Sequence, residues 1–291
     1  MYKSQTLDSI RQNIDNIDNT IHDLLMERAA LASSIAAEKQ KRGMPVVHPA
    51  REARMIRRLL GRHHGALPQQ AVTRIWRELV SAVSMLQSGL SAVYSIEQDS
   101  VKNYKTITDY FGSLLNLEKG QNVLSSLRQL QNGDCDFAVF DSLCHEDDVA
   151  AWLPSLIAAI DADEAIDSKT QLSIVQVLPF VSDAETSKTR GFHVVMRAHF
   201  EPSDDDVSYV AYKSSGDGAA AVQNAMAALS VKDYRTLSLK VSDEYYYLCI
   251  INQYIDAESA AFVDMKHKHK DNGKWYHLGG HPKPIKCKVH K

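Results

Sequence analysis

No window of the sequence approaches the roughly 18 consecutive apolar residues that a membrane-spanning helix needs, so none is expected. Cysteine is scarce. Cys135, Cys144, Cys249 and Cys287 share neither metal-ligand nor paired redox spacing, and no apolar run precedes a cleavage site at the N-terminus, which points to reduced thiols in the cytoplasm. A glycine-rich phosphate loop, a nucleophile with an adjacent base and a metal-ligating cluster are also missing from the helical first part, so no metal or cofactor is expected there. Proline and glycine are absent from Leu7 through Arg42. What remains is ordinary soluble composition, 44% hydrophobic and 24% charged, long enough for more than one domain. The net charge of −3 is unevenly spread: residues 1–90 hold 13 Lys and Arg against 8 Asp and Glu, and the remainder 20 against 28. An acidic second part, with first-part cations interleaved among apolar residues, argues against nucleic acid and for a small anion.

Apolar residues recur at Leu7, Ile10, Ile14, Ile17, Ile21, Leu24, Leu31 and Ile35, a three-four spacing that draws one stripe along a helix over 7–42. Such a helix of about 36 residues runs roughly 54 Å. That is long for one small domain, and the stripe predicts an intertwined helical dimer. Arg28 stands where the stripe is due an apolar residue, and Lys39 follows three turns later on nearly the same side. Arg11 is turned from Arg28 by roughly a quarter turn and is expected to face something else.

Val46 to Pro49 reads as extended, and a second helix starts near Ala50 and is ended by Gly61 and Gly65. Pro68 suits the first turn of a third helix, whose Val72, Trp76, Leu79, Val83, Leu86 and Leu90 repeat the three-four spacing. Gln87 lies one turn after Val83. Arg28, Lys39, Arg51, Glu52 and Gln87 are thus expected to converge from three helices, with Arg11 available from a partner chain. Several cations and one carboxylate suit a dianion that bears a hydroxyl, handled by shape and fixed charge. Taken singly, each residue has a plainer reading: Arg28 as an interhelical ion pair, Arg51 and Glu52 as a solvated helix start, Gln87 as a buried amide, Lys39 with its tip in water. Their joint spacing favours the anion site.

Residues 7–87 resemble the all-helical, AroQ-type chorismate mutase domain, on the Ile-Arg-Gln-Asn-Ile-Asp start, Leu-Leu-x-Glu-Arg at 24–28, Lys39, Pro45-Val46, Arg51-Glu52 and Gln87. The resemblance implies a pericyclic rearrangement of chorismate to prephenate, without a cofactor, in a site shared across a homodimer. It implies that Arg28, Arg51 and the partner's Arg11 clamp two carboxylates, that Lys39 and Gln87 donate to the breaking ether oxygen, and that Glu52 receives the ring hydroxyl. Two positions depart from the pattern. His48 stands where relatives often have an acidic residue, and Val83 replaces a small hydroxylated one; the neighbouring Ser84 is expected to turn about 100° away.

From Ser91 helices and strands alternate, which predicts an α/β layer with mostly parallel pairing: strands over 92–96, 136–140, 171–179 and 192–200, and helices over 101–117, 121–132 and 150–160. After the acidic turn 201–206, the order strand 207–213, helix 218–229, strands 234–241 and 245–252, helix 256–265 and strand 274–278 is βαββαβ, ferredoxin-like. It resembles an ACT-type amino-acid-binding module, which implies effector contact at Gly216, Asp217 and Gly218 and an aromatic amino-acid effector; a tight turn that needs glycine explains the same residues. Gly133 to Val139 and Lys188-Thr189-Arg190-Gly191-Phe192 resemble a prephenate dehydratase, the second interrupted by Gly191. The region is short for a full dehydratase, so the expectation is a degenerate relative. Three divisions follow: 1–90 helical, 91–205 α/β, and 206–291 ACT-like with a tail. That tail, with His267, His269, His277, His281 and His290, is expected to be a solvated basic end. The expected activity is chorismate mutase, against a bifunctional mutase/dehydratase and a non-catalytic amino-acid sensor.

Overall fold

The computed structural model describes residues 6–41, 47–97, 101–145, 148–163, 171–182, 191–268 and 273–287. Three helices come first: α1 (Leu7–Lys41), α2 (Pro49–Gly61) and α3 (Gln69–Ser88). Pro49 opens α2, and α3 ends where Gly89 takes φ 62° and donates its N–H to the Met85 carbonyl at 3.0 Å. Strand β1 (Ser91–Ser95) follows directly, so the third helix runs into the sheet without a linker.

The elements after β1 are α4 (Val101–Phe111), β2 (Asn116–Lys119), α5 (Val123–Asn132), β3 (Phe137–Asp141), β4 (Cys144–His145), β5 (Asp148–Val149), α6 (Leu153–Ala162), β6 (Leu172–Leu178), β7 (Val181–Ser182) and β8 (Phe192–Arg197). Then come β9 (Asp206–Ser214), α7 (Ala219–Ala228), β10 (Tyr234–Val241), β11 (Glu244–Ile251), α8 (Ala260–Lys268), β12 (Gly273–Pro282) and β13 (Ile285–Lys286). Among the described residues the longer strands form one sheet, in the order β10-β11-β9-β12-β6-β8-β3-β1-β2.

Three expectations are corrected here. The pairing is mixed: β1 is parallel to β2 and β3, but β8 is antiparallel to β3 and β6, because residue alternation marks a strand without fixing its neighbour's direction. The helix expected over 101–117 stops at Phe111, where Gly112 has φ 90° and lies so close to the Ser81 side chain that a Cβ would collide with it; β2 takes the residues beyond. The tail is not solvated throughout. Residues 273–282 form β12, an interior strand between β9 and β6, with His281 buried; His267 is exposed on α8, while His269 and His290 lie outside the described residues. Gly279 is the residue at which β12 meets β6, opposite Ile174, with φ 88° and no room for a Cβ against the Ile174 backbone.

The helical part does not stand apart from the sheet. Ala53 and Ile56 of α2 share a buried cluster with Leu90, Ala92, Phe111, Phe137 and Val194, and Trp76 and Met85 of α3 pack against it. Arg57 of α2 adds a clasp: Nη2 donates to the carbonyls of Asp205 at 2.8 Å and Lys283 at 3.2 Å, and Nη1 to Ser203 Oγ at 3.1 Å. Helix α1 differs. Leu7, Ile10, Ile14, Ile17, Ile21, Leu24 and Leu31 are all exposed, so its stripe is uncovered along most of its length in the single chain.

Candidate functional site

A cavity of about 130 Å³ lies where α1, α2 and α3 meet. Arg28, Ala32 and Ile35 enter it from successive turns of α1, and Arg51, Glu52 and Met55 from the start of α2. His48 lines it just before α2, and Val80, Val83 and Ser84 close it from α3. Five expected site residues, Arg28, His48, Arg51, Glu52 and Val83, thus share one cavity. Lys39 and Gln87 lie on α1 and α3, but their side chains are outside the described residues.

Arg11 is elsewhere. It is exposed near the start of α1, 3.6 Å from Asp8, and 17 residues of helix place it about 25 Å along the axis from Arg28. Ser84 departs from the expectation, since it lines the cavity together with Val83; its hydroxyl donates to the Val80 carbonyl at 3.0 Å and keeps its lone pairs available.

Among the described lining residues, two guanidiniums, Arg28 and Arg51, are gathered with one carboxylate, Glu52. Partial burial, and then the nearby Arg51 guanidinium, push the Arg28 pKa below the ordinary arginine value. With Glu52 as the one carboxylate among the described lining residues, the Arg28 and Arg51 guanidiniums suit an anion. Glu52 does not supply it directly, because its carboxylate accepts from Arg77 Nη1 in a nearly buried ion pair.

Arg77 and Glu201 were not singled out in the sequence. Arg77 is 2% exposed, with its guanidinium carbon 3.8 Å from the centre of the Tyr110 ring. The signal for it is the spacing Thr73, Arg77, Ser81, Ser84, a polar stripe at four, four and three residues that is buried throughout. Glu201, in the acidic turn, has Oε2 4.0 Å from His48 Nδ1. The sheet part therefore brings a carboxylate to the residue that stands where relatives often have an acid.

At the turn before α7, Asp217 Oδ1 accepts from the Tyr247 hydroxyl at 2.6 Å and from Ala219 N–H at 3.0 Å, and Tyr247 in turn accepts from Gly218 N–H at 2.9 Å. The Tyr247 hydrogen bond and the backbone one hold the Asp217 carboxyl below its ordinary pKa. Gly218 has a packing reason, since a Cβ there would sit 2.6 Å from Tyr212 Cε1, whereas Gly216 faces open space.

The chain resembles several known proteins. The bifunctional chorismate mutase/prephenate dehydratase of Aquifex aeolicus is 31% identical over 112 residues, 37% of this chain and 31% of that protein. The chorismate mutase of Methanocaldococcus jannaschii is 40% identical over 63 residues, 21% of this chain and 64% of that protein. Among solved structures, a prephenate dehydratase from Arthrobacter aurescens in complex with L-Phe overlays at a TM-score of 0.46 with 12% identity, covering 69% of this chain and 94% of that one. The chain spans about a third of the length of the bifunctional relatives it matches. No described helix is long and apolar enough to cross a membrane. Residues 10–88, the stretch that builds α1, α2 and α3 and the cavity between them, match the chorismate mutase type II family.

Proposed function

We propose that the chain is a chorismate mutase, acting on chorismate in the cytoplasm as an intertwined homodimer. The observation that carries this reading is the convergence of Arg28, Arg51 and Glu52 on one cavity within a segment that matches the family. The rearrangement makes a carbon–carbon bond as an ether carbon–oxygen bond breaks, with no proton transferred, so the protein need only hold a compact conformer and stabilise charge on the departing oxygen. Arg28 and Arg51 bind the carboxylates through planar forks, joined by the partner subunit's Arg11. Lys39 and Gln87 donate to the ether oxygen. Glu52, held in place by Arg77, receives the ring hydroxyl, with His48 and Val83 shaping the rim.

The uncovered stripe of α1 supports the dimer, and the distance of Arg11 from its own chain's cavity supports a shared site. Ile17→Asp changes a residue that is 58% exposed in the single chain, so its expected result is monomers with an intact fold and lost activity. Sedimentation against turnover checks it; an active monomer refutes the shared site.

The divisions 1–90, 91–205 and 206–291 belong to this reading. The order β9-α7-β10-β11-α8-β12, with β10-β11-β9-β12 side by side and antiparallel, supports a ferredoxin-like module of ACT type, in which Gly216, Asp217 and Gly218 approach an aromatic amino-acid effector. The test is purified full chain with chorismate: absorbance is lost, prephenate appears, and prephenate is not carried on to phenylpyruvate. Phenylpyruvate would select the bifunctional enzyme. Inert protein would refute the mutase, and stabilisation of that inert protein by phenylalanine or tyrosine would select the sensor.

A further inference from the structure

The helical part does not hold its own carboxylate unaided. Glu52 reaches the cavity from the first turn of α2 with its side chain 13% exposed; Oε2 accepts from Arg77 Nη1, while Oε1 has no hydrogen bond among the described residues. Arg77, on α3, is held in turn by the sheet part. Its guanidinium carbon lies 3.8 Å from the centre of the Tyr110 ring, a seat that suits a planar cation.

Tyr110 is itself fixed. It lies on α4 in edge-on contact with Phe111, ring centres 4.7 Å apart, and with Phe180 at 6.2 Å, and its hydroxyl accepts from Gln176 Nε2 at 2.6 Å. Gln176 is fully buried on β6, where the pairing with β8 shifts register between Ile174 and Gln176, and its Oε1 accepts from Val177 N–H at 2.8 Å. A continuous buried line thus runs from β6 through α4 and α3 to α2, in the order Gln176, Tyr110, Arg77, Glu52, and ends at the cavity. A buried ion pair is weak evidence for stability, whereas a carboxylate that must meet one substrate hydroxyl gains from being fixed beforehand. We propose that Tyr110 is a positioning residue of the mutase site, acting through Arg77 to fix the Glu52 carboxylate for the substrate's ring hydroxyl, so that the sheet part takes part in substrate binding. This rests on the mutase reading.

The test measures kcat and KM for chorismate on the full chain and on its Tyr110→Leu and Tyr110→Phe variants. The ring hydroxyl is present in substrate and transition state alike, so a misplaced Glu52 raises KM more than it lowers kcat. Tyr110→Leu is expected to raise KM about tenfold with kcat within about threefold, and Tyr110→Phe, which keeps the ring beneath the guanidinium, to hold KM within about twofold of wild type. In a Glu52→Gln chain, Tyr110→Leu should leave KM as it is, because the ion pair it acts through is gone. A merely structural tyrosine would lower the active fraction, hence kcat, and leave KM unchanged. That result overturns the proposal, as does a rise in KM that persists undiminished beside Glu52→Gln. Where Tyr110→Leu does not fold, Arg77→Lys, which keeps the charge and lacks the planar fork, is expected to give the same rise, and an unchanged KM there overturns the proposal. An inert wild-type chain refutes the mutase reading and this proposal with it; an active wild type whose KM these variants leave unmoved overturns this proposal alone.

Discussion

Arg28→Ala is expected to lower kcat/KM for chorismate by roughly 10²–10³-fold, about 3–4 kcal/mol of transition-state stabilisation, while the folded chain becomes no less stable. The two halves of that statement separate a functional arginine from a structural one. An interhelical ion-pair arginine would take stability with it when removed, because a buried charge would lose its partner. Partial burial, and then the like-charged Arg51 beside it, lower the Arg28 pKa, so its removal takes away a desolvated charge and a repulsion. Equal or higher thermal stability with lost turnover is the signature of a residue kept for a ligand. Mixing Arg28→Ala with Arg11→Ala chains extends the test. Each variant alone is inactive, but a mixed dimer has one site with both arginines, so about a quarter of the wild-type activity should return on random pairing. No recovery, with subunit exchange verified, refutes the shared site.

Stability should also fall steeply between pH 7 and pH 5. His281 is buried and His277 half-buried, and burial pushes each down to about 4 from an ordinary 6.5; His193 is also pushed well down by burial and by His281. Their hydrogen bonds require neutral rings. His193 Nδ1 accepts from Leu143 N–H at 2.9 Å, so its Nε2 donates to the Tyr209 hydroxyl at 2.9 Å, which donates to His281 Nε2 at 3.1 Å, and His281 Nδ1 donates to the Pro282 carbonyl at 2.9 Å. His277 donates from Nε2 to the Ile255 carbonyl at 2.9 Å and accepts from Gly279 N–H at 3.2 Å. Below about pH 6.5 the unfolded chain binds protons on these rings and the folded chain does not, so stability is full above that value and declines until about pH 4. At pH 5 the loss is about 2 kcal/mol for each of His277 and His281, a large part of a typical total of about 5–15 kcal/mol. The carboxyls held low, Asp217 and Glu244, act in a more acid range. Urea unfolding at pH 7.5 and pH 5 reads the difference; equal stability at the two would refute it.

Spacing along single helices was the most legible part of the sequence. Arg28 breaks an apolar stripe, Arg51 and Glu52 follow an extended entry, and a helix fixes where such residues point. That reading reached Arg28, His48, Arg51, Glu52 and Val83 and passed over Arg77, because an apolar template selects the face of α3 that carries Trp76, Leu79 and Val83. The more deeply buried face carries Thr73, Arg77, Ser81 and Ser84, and it is buried by α4 and the sheet, elements distant in the chain. Long-range placement was only partly legible for β12: strand 274–278 was read as the last of the βαββαβ order, but its pairing with β6 was not. Its two histidines and flanking lysines look like solvent-facing residues until β9 and β6 are placed on either side.

That position of β12 has a consequence for how the molecule is made. Strands β6 and β9 come earlier in the chain, yet they are not neighbours, and the gap between them is filled by a strand that follows every other strand of the large sheet. During synthesis on the ribosome, both sides of that gap therefore wait as open, pairing-competent borders until residues 273–282 emerge, which is the interval in which a nascent chain is most exposed to wrong partners.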